Sequence, residues 1–145
     1  MTTTRYQLTT RECAALLQDG SVGRMCIIEH GYPLAIPINY RLARTAQGAR
    51  IAVRTSPTSV LGRYEGPASL EADDVSIESG QAWSVIVRGT LRKVHGAHGL
   101  PDPRPLLEAD RNEWLVLEPS VWSGRRFIVG ASADGCVVDW QMAPA

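Results

Sequence analysis

Arg54, Thr55 and Ser59 are the residues of this chain whose types and spacing best suit ligand chemistry. They stand in "IAVRTSPTSVLGRY", residues Ile51 to Tyr64, where an apolar run ends on a guanidinium and small polar residues follow. A guanidinium and several hydroxyls at a strand end can replace water around a bound anion, each charge-assisted bond contributing about 1.5–3 kcal/mol. Ser59 precedes an expected helical turn, Val60 to Tyr64, whose first N–H groups would add donors. The same composition also suits an ordinary solvated turn, since Ser, Thr and Pro are turn residues in their own right. Taken alone, these residues favour the turn.

A second segment, Pro37-Ile38-Asn39-Tyr40, sets a donorless proline, an apolar side chain, an amide and a phenol in sequence on one strand. A flat heteroaromatic ligand needs an apolar wall with a few polar groups at its edge, and this segment offers both. A sheet edge carrying a bulge explains the same residues without a ligand.

The other reactive side chains make weaker cases. His95 and His98 form H-x-x-H in the Gly/Pro-rich loop "HGAHGLPDPRP" with no third ligand in view, so they read as solvated histidines and no metal site is expected. Asp73 and Asp74 are adjacent, and on a strand they point to opposite faces, which argues against a paired-carboxylate role. The chain has no G-x-S-x-G, no Walker loop and no G-x-G-x-x-G. No residue stands out as catalytic.

The elements that must position these groups are mostly strands. Thr9 and Glu12 form a T-x-x-E capping box opening a helix, with Leu8 and Cys13 as a hydrophobic staple and Gly20 as a left-handed stop. Strands are expected at Ser21–Glu29 and Tyr32–Leu42, a hairpin turning at His30-Gly31, then at "ARIAVRT", Ala68–Asp73, Trp83–Val94 and Glu113–Pro119. "LLEADRN" reads as a short helix. Pro37, mid-strand, marks an edge or a bulge. Six strands with hairpin turns and few helices imply a mainly β, antiparallel barrel. The 145 residues make one domain, with a core over about 8–128 and a C-terminal tail, 129–145, of unassigned role.

Composition excludes several classes. Fifteen acidic and fifteen basic side chains give zero formal net charge, which is no footprint for nucleic acid or an anionic membrane. No apolar run approaches a membrane span, and "MTTTRYQLTT" has no leader-like apolar core. Cys13, Cys26 and Cys136 are odd in number and lack CxxC spacing, so free thiols in a reducing cytoplasm are expected.

The ordered segments "CAALLQDGSVGRM", "PLAIPINY", "IAVRTSPTSVL", "LEADD", "WSVIVRG" and "WLVLEPSVWSGRRF", spanning about Thr9 to Phe127, resemble the pyridoxamine 5′-phosphate oxidase-like proteins, the FMN-binding split β-barrels. The resemblance implies a six-stranded split barrel that forms a homodimer with a flavin at each subunit interface. It implies that Arg54, Thr55, Ser59 and Val60 lie around the phosphate. Pro37, Ile38, Asn39 and Tyr40 would line the isoalloxazine, and Trp83 and Ser84 would lie near the cofactor or the dimer seam, with Trp122 a further seam candidate. It also implies an FMN-dependent oxidoreductase acting on a small flat organic substrate. The alternatives are a reductase using a deazaflavin coenzyme, or a module that binds flavin, haem or another aromatic ligand without turnover. One departure matters: related chains commonly read R-T-x-x-G-S-K-L, and here Thr58 replaces the glycine and Val60 the lysine.

Overall fold

The computed structural model describes residues 3–46, 48–76, 78–96, 99–104 and 112–129. Seven strands and one α-helix make up its regular structure: β1 (Thr3–Gln7), α1 (Thr10–Asp19), β2 (Val22–Glu29), β3 (Tyr32–Thr45), β4 (Gly48–Thr55), β5 (Gly66–Ser76), β6 (Gln81–Val94) and β7 (Glu113–Val129). A single 3-10 turn, Leu61–Arg63, follows β4. The strands pair antiparallel in the order β1-β7-β4-β3-β2-β5-β6, and an added β6–β7 pairing closes the last six into a ring. The fold is an antiparallel split barrel. β1 is a seventh strand beyond the six expected, laid on β7 at Arg125–Val129. No described helix is long and apolar enough to cross a membrane.

Local chemistry explains the elements. The Thr9–Glu12 box is formed: Glu12 N–H donates to Thr9 Oγ1 at 3.2 Å and Thr9 N–H to Glu12 Oε1 at 3.1 Å. The turn at His30-Gly31 has φ of 50° and 80°, the two positive values that a two-residue hairpin of matching twist requires. β7 runs on past Pro119, where the sequence suggested an end. Pro119 meets Gly89 beside the register shift in the β6–β7 ladder, and a Cβ on Gly89 would lie 2.0 Å from the Glu118 carbonyl oxygen. Only glycine permits that approach.

Helix α1 packs on β7, β3 and β6, and its Cys13, Ala14 and Leu17 join the barrel core with Leu8. Tyr40 is fully buried there and donates its hydroxyl to the Leu17 carbonyl at 2.9 Å. Burial pushes that phenol up to about 12. Gly20 does not stop the helix in the left-handed region; its φ of −86° is extended. Glycine is required for space instead, since a Cβ there would meet Tyr40 Oη at 2.5 Å. The tyrosine that ties helix to sheet leaves no room for a larger residue.

β3 changes partners along its length. Tyr32–Asn39 pairs with β2, and Tyr40–Thr45 pairs with β4. The first half therefore has one open edge. Tyr40 N–H donates to Ser21 O, so alternation turns the backbone groups of positions 33, 35, 37 and 39 outward. Pro33 and Pro37 both fall in that outward set, where their missing N–H groups cost no ladder bond and discourage pairing with another strand. Pro37 marks an edge, as its position suggested.

Candidate functional site

The β3–β4 ladder stops at Tyr40–Val53, one residue before Asn39 and Arg54. Beyond that point β3 stays with β2 while β4 stays with β7, Arg54 pairing with Trp114. This parting of the strands is the split in the barrel, and Asn39 and Arg54 stand on its two lips. The Arg54 guanidinium lies 5.2 Å from the centre of the Trp114 ring, in cation–π range.

The segment Gly99–Arg104 crosses the split. Both Asp102 carboxylate oxygens accept from Arg54 Nη1, at 2.9 and 3.0 Å. Asn39 Nδ2 donates to the Arg104 carbonyl at 3.1 Å. Asp102 Oδ1 also accepts from Arg104 N–H at 2.9 Å. That backbone bond, and then Arg54, hold the Asp102 carboxyl below its ordinary range.

The hydroxyls beside Arg54 serve the chain itself. Thr55 is buried and its Oγ1 lies 2.9 Å from Ser59 Oγ. Ser59 Oγ donates to Ser56 O at 2.8 Å and accepts from Gly62 N–H at 2.9 Å, capping the 3-10 turn. A Cβ on Gly62 would lie 2.0 Å from Ser56 O, so the turn is closed as tightly as glycine allows. Val60 is half-buried and packs against the core. The expected helical turn over Val60–Tyr64 is this shorter turn, Leu61–Arg63, too brief to present a helix terminus to an anion.

The four residues of the Pro37–Tyr40 segment divide by face. Pro37 is exposed on the outside, Ile38 packs toward the core, Asn39 reaches the split, and Tyr40 presents no surface to a ligand. Ladder registers put Pro37, Arg24, Glu71 and Ile86 in one row across the outer face of β3, β2, β5 and β6. Asn39 and Ser84 lie two residues along from the ends of that row, three strand spacings apart, or about 14 Å. Ser84 accepts from Arg125 Nε at 3.3 Å. Trp83 and Trp122 pack against the core. Arg54, Thr55, Ser59, Val60 and Asn39 are thus brought to the split, while Trp83 and Ser84 stand apart from it.

Two groups were missed in the sequence. Asp102 lies in the Gly/Pro-rich loop, where only the two histidines stood out. Glu71 and Asp73 share the outer face of β5, and Arg24 Nη1 bridges them at 3.2 Å each. Burial first, then a hydrogen bond shared with Asp73 and its charge, push Glu71 up to about 7 against the pull of Arg24. The spacing Glu71-x-Asp73, two apart on a strand, is the signal in the sequence, since it puts both carboxylates on one face. His95 is exposed after β6, while His98, Cys136 and the expected helix "LLEADRN", all but its last residue, lie outside the described residues.

A family model described as pyridoxamine 5′-phosphate oxidase matches residues 9–126, most of the chain. The chain belongs to this family. Solved structures agree in fold. An FAD-binding protein from Mycobacterium smegmatis is 26% identical, with 85% of this chain and 98% of that chain covered and a TM-score of 0.67. A Corynebacterium glutamicum protein is 24% identical over 91% and 99%, with a TM-score of 0.76. An FAD-binding protein from Mesorhizobium loti is 19% identical over 87% and 98%, with a TM-score of 0.68. No curated protein matches the chain.

Proposed function

We propose that this chain is a flavin-binding member of the family that works in the cytoplasm as a homodimer, and that it is an FMN-dependent oxidoreductase for a small flat organic substrate. The observation that carries the reading is Arg54 at the lip of the split, backed by Trp114 and facing Asn39. A buried-stemmed guanidinium suits a phosphate, and an amide beside an open strand edge suits the polar rim of a flavin ring. Two similar structures are FAD-binding proteins, so the phosphate is that of FMN or one of the pyrophosphate pair of FAD. A bound flavin would supply the electron transfer; the chain supplies binding, orientation and polarity.

The dimer is supported by the outer face. Val22, Ile28, Ile86 and Val121 are 58%, 57%, 36% and 44% exposed there, around the ion-paired Arg24, Glu71 and Asp73. A second copy would cover this face.

The test is titration of FMN, FAD and riboflavin by flavin fluorescence quenching, with scattering to weigh the assembly. Arg54→Ala is expected to weaken FMN by ten- to a hundredfold, at about 1.4 kcal/mol per decade, and to leave riboflavin nearly unchanged. Equal losses for both would assign Arg54 to the fold rather than to phosphate, and a monomer at micromolar concentration would sink the shared site.

A second reading, a module that binds flavin, haem or another aromatic ligand without turnover, draws support from Val60 in the lysine position and from hydroxyls already used by the chain. The purified protein's absorbance separates these ligands. Turnover of the loaded protein with a reduced nicotinamide separates enzyme from carrier.

A further inference from the structure

We propose that Asp102 sets the affinity and selectivity of the flavin site, as an internal carboxylate that holds Arg54 until a ligand phosphate displaces it. The proposal rests on the flavin reading above and adds to it a competitor supplied by the chain.

Three observations carry it. First, the strap contacts both lips of the split at once, Asp102 on Arg54 and the Arg104 carbonyl on Asn39. The three residues 102–104 thus meet the cation and the amide that the flavin reading requires. Second, the carboxylate comes from the solvent side. The Arg54 side chain is 15% exposed and that of Asp102 is 44% exposed, so Asp102 is the member of the pair that faces solvent more openly. A residue that merely oriented Arg54 would approach from the core or the sheet, where Trp114 already stands. Third, the strap has a local means of holding its shape. Arg104 has a φ of 49°, the left-handed region that a non-glycine residue adopts reluctantly, and its N–H is held by Asp102 Oδ1. The carboxylate that occupies Arg54 also holds the bend that brings the Arg104 carbonyl to Asn39. Displacing Asp102 from Arg54 would loosen both contacts together.

The chemistry defines what is selected. A ligand with a phosphate can exchange one anion for another on Arg54, and a more highly charged group competes better. A flavin without phosphate gains nothing from Arg54 and leaves the Asp102 pair in place. The strap therefore lowers the affinity for phosphorylated flavins and narrows their advantage over riboflavin.

The experiment uses the full chain and three flavins. Wild type and Asp102→Asn are titrated with FMN, FAD and riboflavin, and hydrogen exchange is followed at the Arg104 amide with and without FMN. Asp102→Asn keeps size and hydrogen bonding but removes the charge. We expect it to bind FMN about tenfold more tightly, the change from one lost charge-assisted competitor, with riboflavin within about twofold. In wild type, FMN is expected to speed exchange at Arg104. Unchanged or weaker FMN binding by Asp102→Asn would overturn the proposal and make Asp102 a positioning residue for Arg54. Equal tightening of riboflavin would also overturn it, because the strap would then be a steric cover. If none of the three flavins binds either protein, the flavin reading fails and the competitor fails with it, a result distinct from binding without discrimination.

Discussion

Asn39 and Tyr40 are neighbours on β3, yet they belong to two different regions. Tyr40 turns inward, fully buried, and ties α1 to the sheet through the Leu17 carbonyl. Asn39 turns to the split and bonds the Arg104 carbonyl of a strap. The inner contact sits among Leu17, Gly20 and the core, where each neighbour fixes the next. The outer contact joins one lip to the strap, beside a split that no ladder bond crosses. Packing against many partners makes the inner region a structural fixture. Few partners and partial exposure make the outer one a place where a ligand can replace what is there.

The strongest way to break this comparison is to truncate both residues. Tyr40→Ala should destabilise by about 4 kcal/mol, the range for a large buried aromatic, a sizeable share of a typical domain's stability. Tyr40→Phe, which keeps the ring, should lose only about 1 kcal/mol, since Gly20 N–H still donates to Leu17 O at 3.2 Å. Asn39→Ala should stay within about 0.5 kcal/mol. Urea unfolding followed by tryptophan fluorescence measures all three. Similar losses at 39 and 40 would mean the split is as structural as the core.

A smaller effect sharpens the comparison on the outer face. Glu71, beside Arg24, Asp73 and Cys26, titrates near 7 in the fold against about 4.5 when free. Between those values the native state holds a proton that the unfolded state has released. Stability from this group is therefore full below about pH 4.5 and is lost as pH rises through about 7. Thermal midpoints of wild type should fall over that window, and Glu71→Gln, uncharged throughout, should flatten the slope. An identical slope in the variant would assign the dependence to other groups.

The inner region was far more legible in the sequence than the outer one. The Thr9–Glu12 box, the period-two strands and the Pro37 edge follow from short-range rules, and the structure has them. β1 and the second half of β7 were missed together because each is held by the other. Thr3–Gln7 has no core pattern of its own, and β7 crosses Pro119 only because Gly89 lets the ladder shift there. At the site, Arg54 and Asn39 were legible from residue type. Asp102 was not, because its partner is 48 residues away and nothing local marks a loop aspartate as the occupant of a guanidinium. Ser59 suits both a ligand donor and a turn residue, and in the structure its hydroxyl serves the turn, accepting from Gly62 N–H.

The smallest expected effect concerns Val60. Family resemblance puts a lysine there, and the structure shows Val60 half-buried against the core, with helical backbone angles of −53° and −48°. A lysine stem can cover the same apolar surface while its ammonium reaches solvent at the split. Val60→Lys should therefore tighten FMN by less than about tenfold, with part of the gain offset by side-chain entropy and lost packing. The gain should shrink as salt rises, since the ammonium stays in contact with solvent, and riboflavin should show none. Combining Val60→Lys with Asp102→Asn then asks whether both act on one phosphate. Independent sites add within about 0.3–0.5 kcal/mol. A phosphate already freed from its competitor has less to gain from a second cation, so the pair should fall short of the sum by more than that. Full additivity would place the lysine and Arg54 on different parts of the ligand.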